Sequence, residues 1–167
     1  VTPTAPTGLT IRDAGPGDED ALQSLFVAAG IEARDGAHVP MAEAWARLRA
    51  AVPSSRVLLA ERAGVPVGAL TFIVLPSLSH RGSAAALVES VAVDPKAQRQ
   101  GIGRALMDAA MQAARQAGCY KLALSSNARR TTAHAFYERL GYAVHGLSFA
   151  IALEEGARSP GGGGPAD

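Results

Sequence analysis

Between Pro95 and Met107 the chain reads PKAQRQGIGRALM, with Lys96, Gln98, Arg99, Gln100 and Arg104 crowded around Gly101 and Gly103 and no carboxylate among them. An apolar, strand-like run ends at Val93 just before this stretch, and a helical pattern begins within it. The N–H groups of a helix's first turn have no acceptor inside the helix and stand at the positive end of its dipole. Glycines keep side-chain bulk away from those donors, so Gln98, Arg99, Gln100, Gly101, Ile102, Gly103 and Arg104 form a plausible cradle for phosphate oxygens. The alternative is that the glycines only let the helix pack closely on a sheet. A Walker loop would need Gly-x-x-x-x-Gly-Lys-Ser/Thr, and a dinucleotide fingerprint would need a third glycine; Gly103 is followed by Arg, Ala and Leu, so neither is present. A second chemical candidate stands upstream. In ALVESVAV, Glu89 alternates with Leu87, Val91 and Val93, and a carboxylate on such an apolar face needs either a partner such as Arg81 or a task as a general base.

These residues need a strand to deliver them and a helix to carry them onward. LTIRD (9–13) is β-prone, and Asp18 is placed to cap a helix bearing Leu22, Leu25, Phe26 and Ala29 at helical spacing. A second helix follows Pro40, with Met41, Ala44, Trp45 and Leu48 on one face, after a polar connector at 30–39 that could border a cleft. RVLLAER and PVGALTFIVL, separated by AGV, read as an antiparallel hairpin. ALVESVAVD is the fourth strand, and Ile102, Leu106, Ala109, Ala110 and Ala113 mark the face of a helix that Gly118 ends. YKLALSS is a fifth strand; Thr131 or Thr132 caps a short helix with Ala133, Phe136 and Leu140 inward and Gly141 as its stop; YAVHGLSFAIAL returns as a last strand. The expected order is β-α-α-β-β-β-α-β-α-β, an α/β or α+β layer architecture. Residues 1–7 and 154–167, the latter with four consecutive glycines, are expected to be a disordered arm and tail around a single domain at 8–153.

Composition narrows the function classes. With 167 residues, 48% hydrophobic, and a net charge of +1, the chain can build one core but carries no global field to attract nucleic acid or an anionic membrane. No basic-aromatic interleaving argues for a nucleic-acid reader. The single cysteine, Cys119, excludes an intrachain disulfide and reads as core filler in a reducing compartment. His38, His80, His134 and His145 are scattered, so no metal site is expected. The first residues lack a signal-peptide pattern and no apolar run is long enough to span a membrane, so a soluble, cytoplasmic protein is the expectation.

Gln98-x-x-Gly101-x-Gly103 after a Val-x-Pro strand exit resembles the pyrophosphate-binding motif of the GNAT superfamily of acetyl-CoA-dependent N-acetyltransferases. Asn127, followed by Ala133, Phe136, Tyr137, Glu138, Leu140, Gly141 and Tyr142, is similar to that family's second signature. Together the two motifs cover about residues 87 to 143. The run LSSNARRTTAHAFYERLGY also resembles the aminoalkylphosphonate N-acetyltransferase subgroup. The resemblance implies a mixed, mostly antiparallel sheet of six or seven strands flanked by about four helices. It implies an enzyme with acetyl-CoA as cosubstrate and a primary amine as acceptor, and by analogy it allows a homodimer.

Acetyl transfer from a thioester to an amine requires a neutral amine, a polarised carbonyl and a proton for the departing thiolate. By resemblance, the backbone of Val91, Ala92 and Val93 pairs with the pantetheine arm, and Tyr137 protonates the thiolate. Tyr137 as a core edge, and Asn127 as a loop cap rather than a cofactor contact, are the alternatives. Arg129 and Arg130 could reach the coenzyme's phosphates or an anionic acceptor. The acceptor reads as a small molecule; a peptide acceptor and a non-catalytic acetyl-CoA-binding module are the competing readings.

Overall fold

The computed structural model describes residues 8–31, 39–149 and 151. The expectations for 1–7 and 154–167, and for most of the 30–39 connector, lie outside them. The chain divides into two compact units, Val1–Leu124 and Ser125–Asp167.

The first unit holds strands β1 (Leu9–Asp13), β2 (Arg56–Arg62), β3 (Val65–Leu75), β4 (Ala85–Val93) and β5 (Lys121–Leu124), with helices α1 (Glu19–Ala28), α2 (Met41–Ala51) and α3 (Ile102–Gln116). The strands form one sheet in sequence order, antiparallel except for the parallel β4–β5 pair. The β2–β3 turn places both Ala63 and Gly64 at positive φ, 49° and 77°, the requirement of a type I′ hairpin turn. Two layers of apolar side chains hold the unit together. On one face Leu22, Leu25 and Phe26 of α1 pack with Val57, Leu59, Ala69 and Ala92, and Met41 and Trp45 of α2 close over them. Neighbouring strand positions point the other way, so Leu58, Leu70, Phe72 and Val88 face α3 with Ile102 and Leu106. Gly68 of β3 permits α3 to come this close: a Cβ there would lie 3.0 Å from the Ala92 carbonyl oxygen and 3.0 Å from Ile102 Cγ2.

The second unit holds α4 (Thr131–Arg139). The last strand expected at 142–153 does not form among the described residues: 142–149 and 151 carry no regular structure, and Val144, Leu147, Phe149 and Ile151 are each more than 80% exposed. Apolar alternation supplies a strand's side-chain pattern, but a strand also needs a partner strand, and no described strand pairs with this segment. The sheet therefore has five strands among the described residues rather than six or seven. Helix ends follow the expected glycines. Gly118 and Gly141 are left-handed, and the N–H groups of Cys119 and Tyr142 close Schellman turns onto the Ala114 and Tyr137 carbonyls.

Asp18 occupies the N-cap of α1 as expected, but its carboxylate does not bond the helix. It accepts instead from both Arg12 guanidinium ends, at 2.7 and 2.8 Å, and from the Gly15 N–H at 2.7 Å. The Arg12 hydrogen bonds hold its pKa down at about 2, from 3.8. A carboxylate depressed in the folded state stabilises the fold above its unfolded pKa, and that contribution is lost as pH falls from 3.8 toward about 2. Asp18→Asn is therefore expected to lower stability by roughly 1–2 kcal/mol near neutrality, falling to little below pH of about 2, checked by urea denaturation across that range.

Candidate functional site

The path into the site starts with a defect in β4. Glu89 pairs with Thr71, but the next register pair is Ala92 with Ala69, so Ser90 and Val91 together oppose Leu70. Ser90 takes a left-handed φ of 52° to accommodate the extra residue, which makes this a β-bulge. The bulge overturns the expected alternation. Glu89 shares a face with Thr71, Ala69 and Ala92, whereas Val93 pairs with Gly68 and lies on the α3 face. Glu89 is exposed, and its carboxylate makes no ion pair with Arg81 or with any other described residue. On its other edge β4 pairs with β5 only from Ala85 to Val88. From Glu89 to Val93 no described strand pairs that edge, which leaves main-chain donors and acceptors of Val91 and its neighbours open.

After Val93 the chain is steered tightly. Asp94 donates its N–H to the Val67 carbonyl at 3.0 Å, and its carboxylate caps the Lys96 N–H at 2.9 Å over a 3₁₀ turn at Pro95–Ala97. Arg99 then takes φ 60° and Gly101 φ 81°, the second being the α3 N-cap. For an L-residue the left-handed conformation costs roughly 1–2 kcal/mol, which is why glycine belongs at 101. No side chain caps α3, whose first intrahelical bond runs from Ala105 N–H to the Gly101 carbonyl at 3.0 Å. The N–H groups of Ile102, Gly103 and Arg104 thus lack intrahelical acceptors, and alternating left-handed turns of this kind gather amides into anion-binding concavities. Gly101 is exposed, and the close helix–sheet approach is made over Gly68, so packing does not account for the glycine at 101.

The side chains around the turn are used unequally. Lys96 and Arg99 are exposed. Gln100 accepts from an Arg62 guanidinium nitrogen and donates to the Lys96 carbonyl at 3.3 Å. Arg104 leans along α3 to Asp108, at 3.7 Å, a carboxylate one turn beyond the acid-free window. A cleft of about 530 Å³ lies between α3 and the β1–β2 side, lined by Ile11, Arg12, Asp13, Arg56 and Leu58 among others. It meets the turn only at Gly101 and Arg104 and touches no β4 residue. Its rim charges already pair with one another, Arg56 with Asp13 at 2.8 Å and Arg104 with Asp108 at 3.7 Å.

In the second unit, Asn127 organises the approach to α4. Its Oδ1 accepts the Arg129 N–H at 2.9 Å, its carbonyl accepts the Arg130 N–H at 2.9 Å, and the His134 ring lies 3.0 Å from that carbonyl. This turn starts α4 one residue early: Arg130, not Thr131 or Thr132, is the N-cap. Tyr137 is half-buried, its ring 5.2 Å from Phe136 and 6.1 Å from Tyr142. Burial pushes its phenol pKa upward, opposed by the charge of Arg130. Its hydroxyl makes no hydrogen bond to a described residue.

No three His, Cys, Asp or Glu side chains gather in metal-binding fashion among the described residues, and no helix there is long and apolar enough to cross a membrane. Cys119 is half-buried, and burial pushes its thiol pKa up, as expected of packing rather than nucleophilic duty. Sequence reading missed Arg62 and Asp108. Each meets the turn through a contact that no local pattern announces.

The chain is similar to characterised proteins over most of its length. The profile of the Acetyltransferase (GNAT) family matches residues 20–142. Glucosamine 6-phosphate N-acetyltransferase of Trypanosoma brucei brucei is 32% identical over 91 residues, 54% of this chain and 60% of that protein. Aminoalkylphosphonate N-acetyltransferase of Salmonella typhimurium is 36% identical over 101 residues, 60% of this chain and 65% of that protein. The matched part thus spans less than two thirds of either relative. The crystal structure of a Trypanosoma brucei acetyltransferase superposes with a TM-score of 0.74 at 25% identity, covering 87% of this chain and 99% of that one. With a bulged fourth strand, an uncapped glycine turn into α3 and a family profile matching residues 20–142, this chain belongs to the GNAT acetyltransferase family.

Proposed function

We propose that this chain transfers the acetyl group of acetyl-CoA directly to a primary amine of a small molecule, with residues 8–153 acting as one N-acetyltransferase domain. The observation that carries the reading is the turn from β4 into α3, where left-handed Arg99 and Gly101 precede an uncapped helix start with no acidic residue in its first turn. Its amides, with Gln98, Arg99, Gln100, Ile102, Gly103 and Arg104, would hold the coenzyme's diphosphate. The open edge at Val91, Ala92 and Val93 would pair with the amide groups of the pantetheine arm, and an N–H there would polarise the thioester carbonyl. Asn127 spends Oδ1 on the Arg129 N–H but keeps its Nδ2 donors for a pantetheine carbonyl, and Arg130 adds charge for the coenzyme.

In the reaction, Glu89 accepts the ammonium proton of the acceptor through water, and the neutral amine attacks the thioester carbon. The new N–C bond forms as the C–S bond breaks, the Tyr137 phenol gives its proton to the thiolate, and the proton that the nitrogen sheds on becoming an amide returns through water to the Tyr137 phenolate. No covalent enzyme intermediate is needed. Because Glu89 is exposed, bulk water competes with it as a base, so Glu89→Gln is expected to lower kcat/KM by about tenfold, at the weak end of general-base effects. Steady-state kinetics with an amine acceptor checks this.

Two relatives are named for glucosamine 6-phosphate and an aminoalkylphosphonate, both small amines carrying a phosphorus oxyanion. The exposed Arg129–Arg130 pair suits such a group. A thiol-release assay over aminoalkylphosphonates, phosphorylated amino sugars, polyamines and peptides tests the reading. Turnover with phosphorus-bearing amines is expected; peptide acetylation alone would move the acceptor class. Coenzyme binding without any turnover would leave a binding module. The single half-buried Cys119 fits a reducing, cytoplasmic setting.

A further inference from the structure

We propose that Arg62 is a positioning residue for the diphosphate turn, acting through Gln100, and that this role sets affinity for the nucleotide half of acetyl-CoA. The inference rests on the acetyl-CoA reading above and adds a residue outside both sequence motifs. Arg62 ends β2, where its backbone pairs with Leu9 on one side and with Val65 on the other, so its Cα is fixed between two strands beside a tight hairpin. Its guanidinium donates to Gln100 Oε1, and the Gln100 amide in turn reaches the Lys96 carbonyl. The chain Arg62–Gln100–Lys96 therefore clamps both sides of the left-handed residue Arg99 to the sheet.

The turn has need of such a clamp. Arg99 holds a strained φ of 60° without being glycine, and neither the Gln98 nor the Gly101 amide has a backbone acceptor among the described residues. A rigid support for a loop whose amides must converge on one anion reduces the ordering cost of binding. Arg62 is also uncompensated. Its neighbour Glu61 is taken by Arg12 at 2.5 Å, and no carboxylate of a described residue pairs with Arg62 itself. Its Nε is buried without an acceptor. A cation bound to Gln100 polarises that amide and leaves net positive charge beneath the turn, both favourable to a diphosphate.

The experiment compares acetyl-CoA with acetyl-pantetheine, which keeps the thioester and arm but lacks the diphosphate. In Arg62→Ala, KM for acetyl-CoA is expected to rise about tenfold with kcat within about twofold, while kcat/KM for acetyl-pantetheine stays unchanged. Gln100→Ala removes the same contact together with any contact of Gln100 to the diphosphate, so KM for acetyl-CoA should rise at least as far, and Arg62→Ala should add little to it in the double variant. Arg62→Lys, keeping charge but not the planar fork, is expected to fall between. Equal losses on both acyl donors, or additive losses in the double variant, would overturn the clamp in favour of general destabilisation. Unchanged KM in Arg62→Ala, with the wild-type chain binding coenzyme A normally, would overturn the inference and leave the transferase reading standing. A folded wild-type chain giving no calorimetric heat with coenzyme A would remove both.

Discussion

Tyr137→Phe is expected to reduce kcat by about a hundredfold while leaving coenzyme affinity and folding stability nearly unchanged, because it removes one proton and little else. The ring keeps its neighbours Phe136 and Tyr142, and the hydroxyl has no hydrogen-bond partner among the described residues, so the substitution breaks no internal bond that supports α4. A structural tyrosine would show the opposite pattern, with stability falling and kcat holding. The pKa direction sharpens the test. Burial raises the phenol pKa, so the group stays protonated across the range where a thiolate needs a proton, and the alkaline decline of kcat should begin above the ordinary tyrosine value of about 10. Arg130 opposes that shift, so Arg130→Ala is expected to push the alkaline limb higher still. Stopped-flow acylation rates and pH profiles on both variants, with calorimetric coenzyme binding alongside, separate the proton-donor role from packing. An unchanged kcat in Tyr137→Phe would refute the assignment.

The parts of the fold legible in the chain were those governed by local rules. Ile102, Leu106, Ala110 and Ala113 recur at helical spacing and are the buried face of α3, since a helix beside a sheet has a single way to hide such a stripe. The Ala63–Gly64 turn and the glycine stops at 118 and 141 rest on steric preferences of one or two residues. The misses arose where a distant partner decides. Nothing in VESVAV announces that Ser90 will bulge, because a bulge exists only against the register of β3, and with it the shared face expected of Glu89, Val91 and Val93 was lost. The 142–153 segment has a strand's alternation, but pairing is a property of two strands, and its apolar residues stand exposed. The α4 cap moved because the Asn127 turn sets Arg130 at the N-cap, where its carbonyl accepts the Ala133 and His134 N–H groups that a capping Thr131 side chain would have taken. The glycine turn itself was readable from its residues; Arg62 was not, since its contact with Gln100 spans 38 positions and depends on the hairpin that fixes it.

Gly101→Val should weaken coenzyme A binding by at least about tenfold without unfolding the chain, which makes it the sharpest test of where the anion sits. At φ 81° a β-branched residue faces a cost of roughly 1–2 kcal/mol or more if the turn keeps its shape. The native state can relieve that cost by letting the exposed turn relax, because Gly101 is not part of the core and α3 is held on the sheet by Ile102, Leu106 and Ala110. Relaxation, however, rotates the amides at the start of the helix away from a common point, and an anion needs them convergent. The strain is thus converted into lost affinity rather than lost fold. A factor of ten corresponds to about 1.4 kcal/mol, within the range of one misdirected charge-assisted hydrogen bond. Calorimetric titration with coenzyme A and with desulfo-coenzyme A should show equal losses for the two ligands if, as proposed, the turn holds the diphosphate and not the thiol. If Gly101→Val bound coenzyme A as tightly as wild type, the diphosphate would have to be held elsewhere, and the uncapped start of α3 would lose its assigned role.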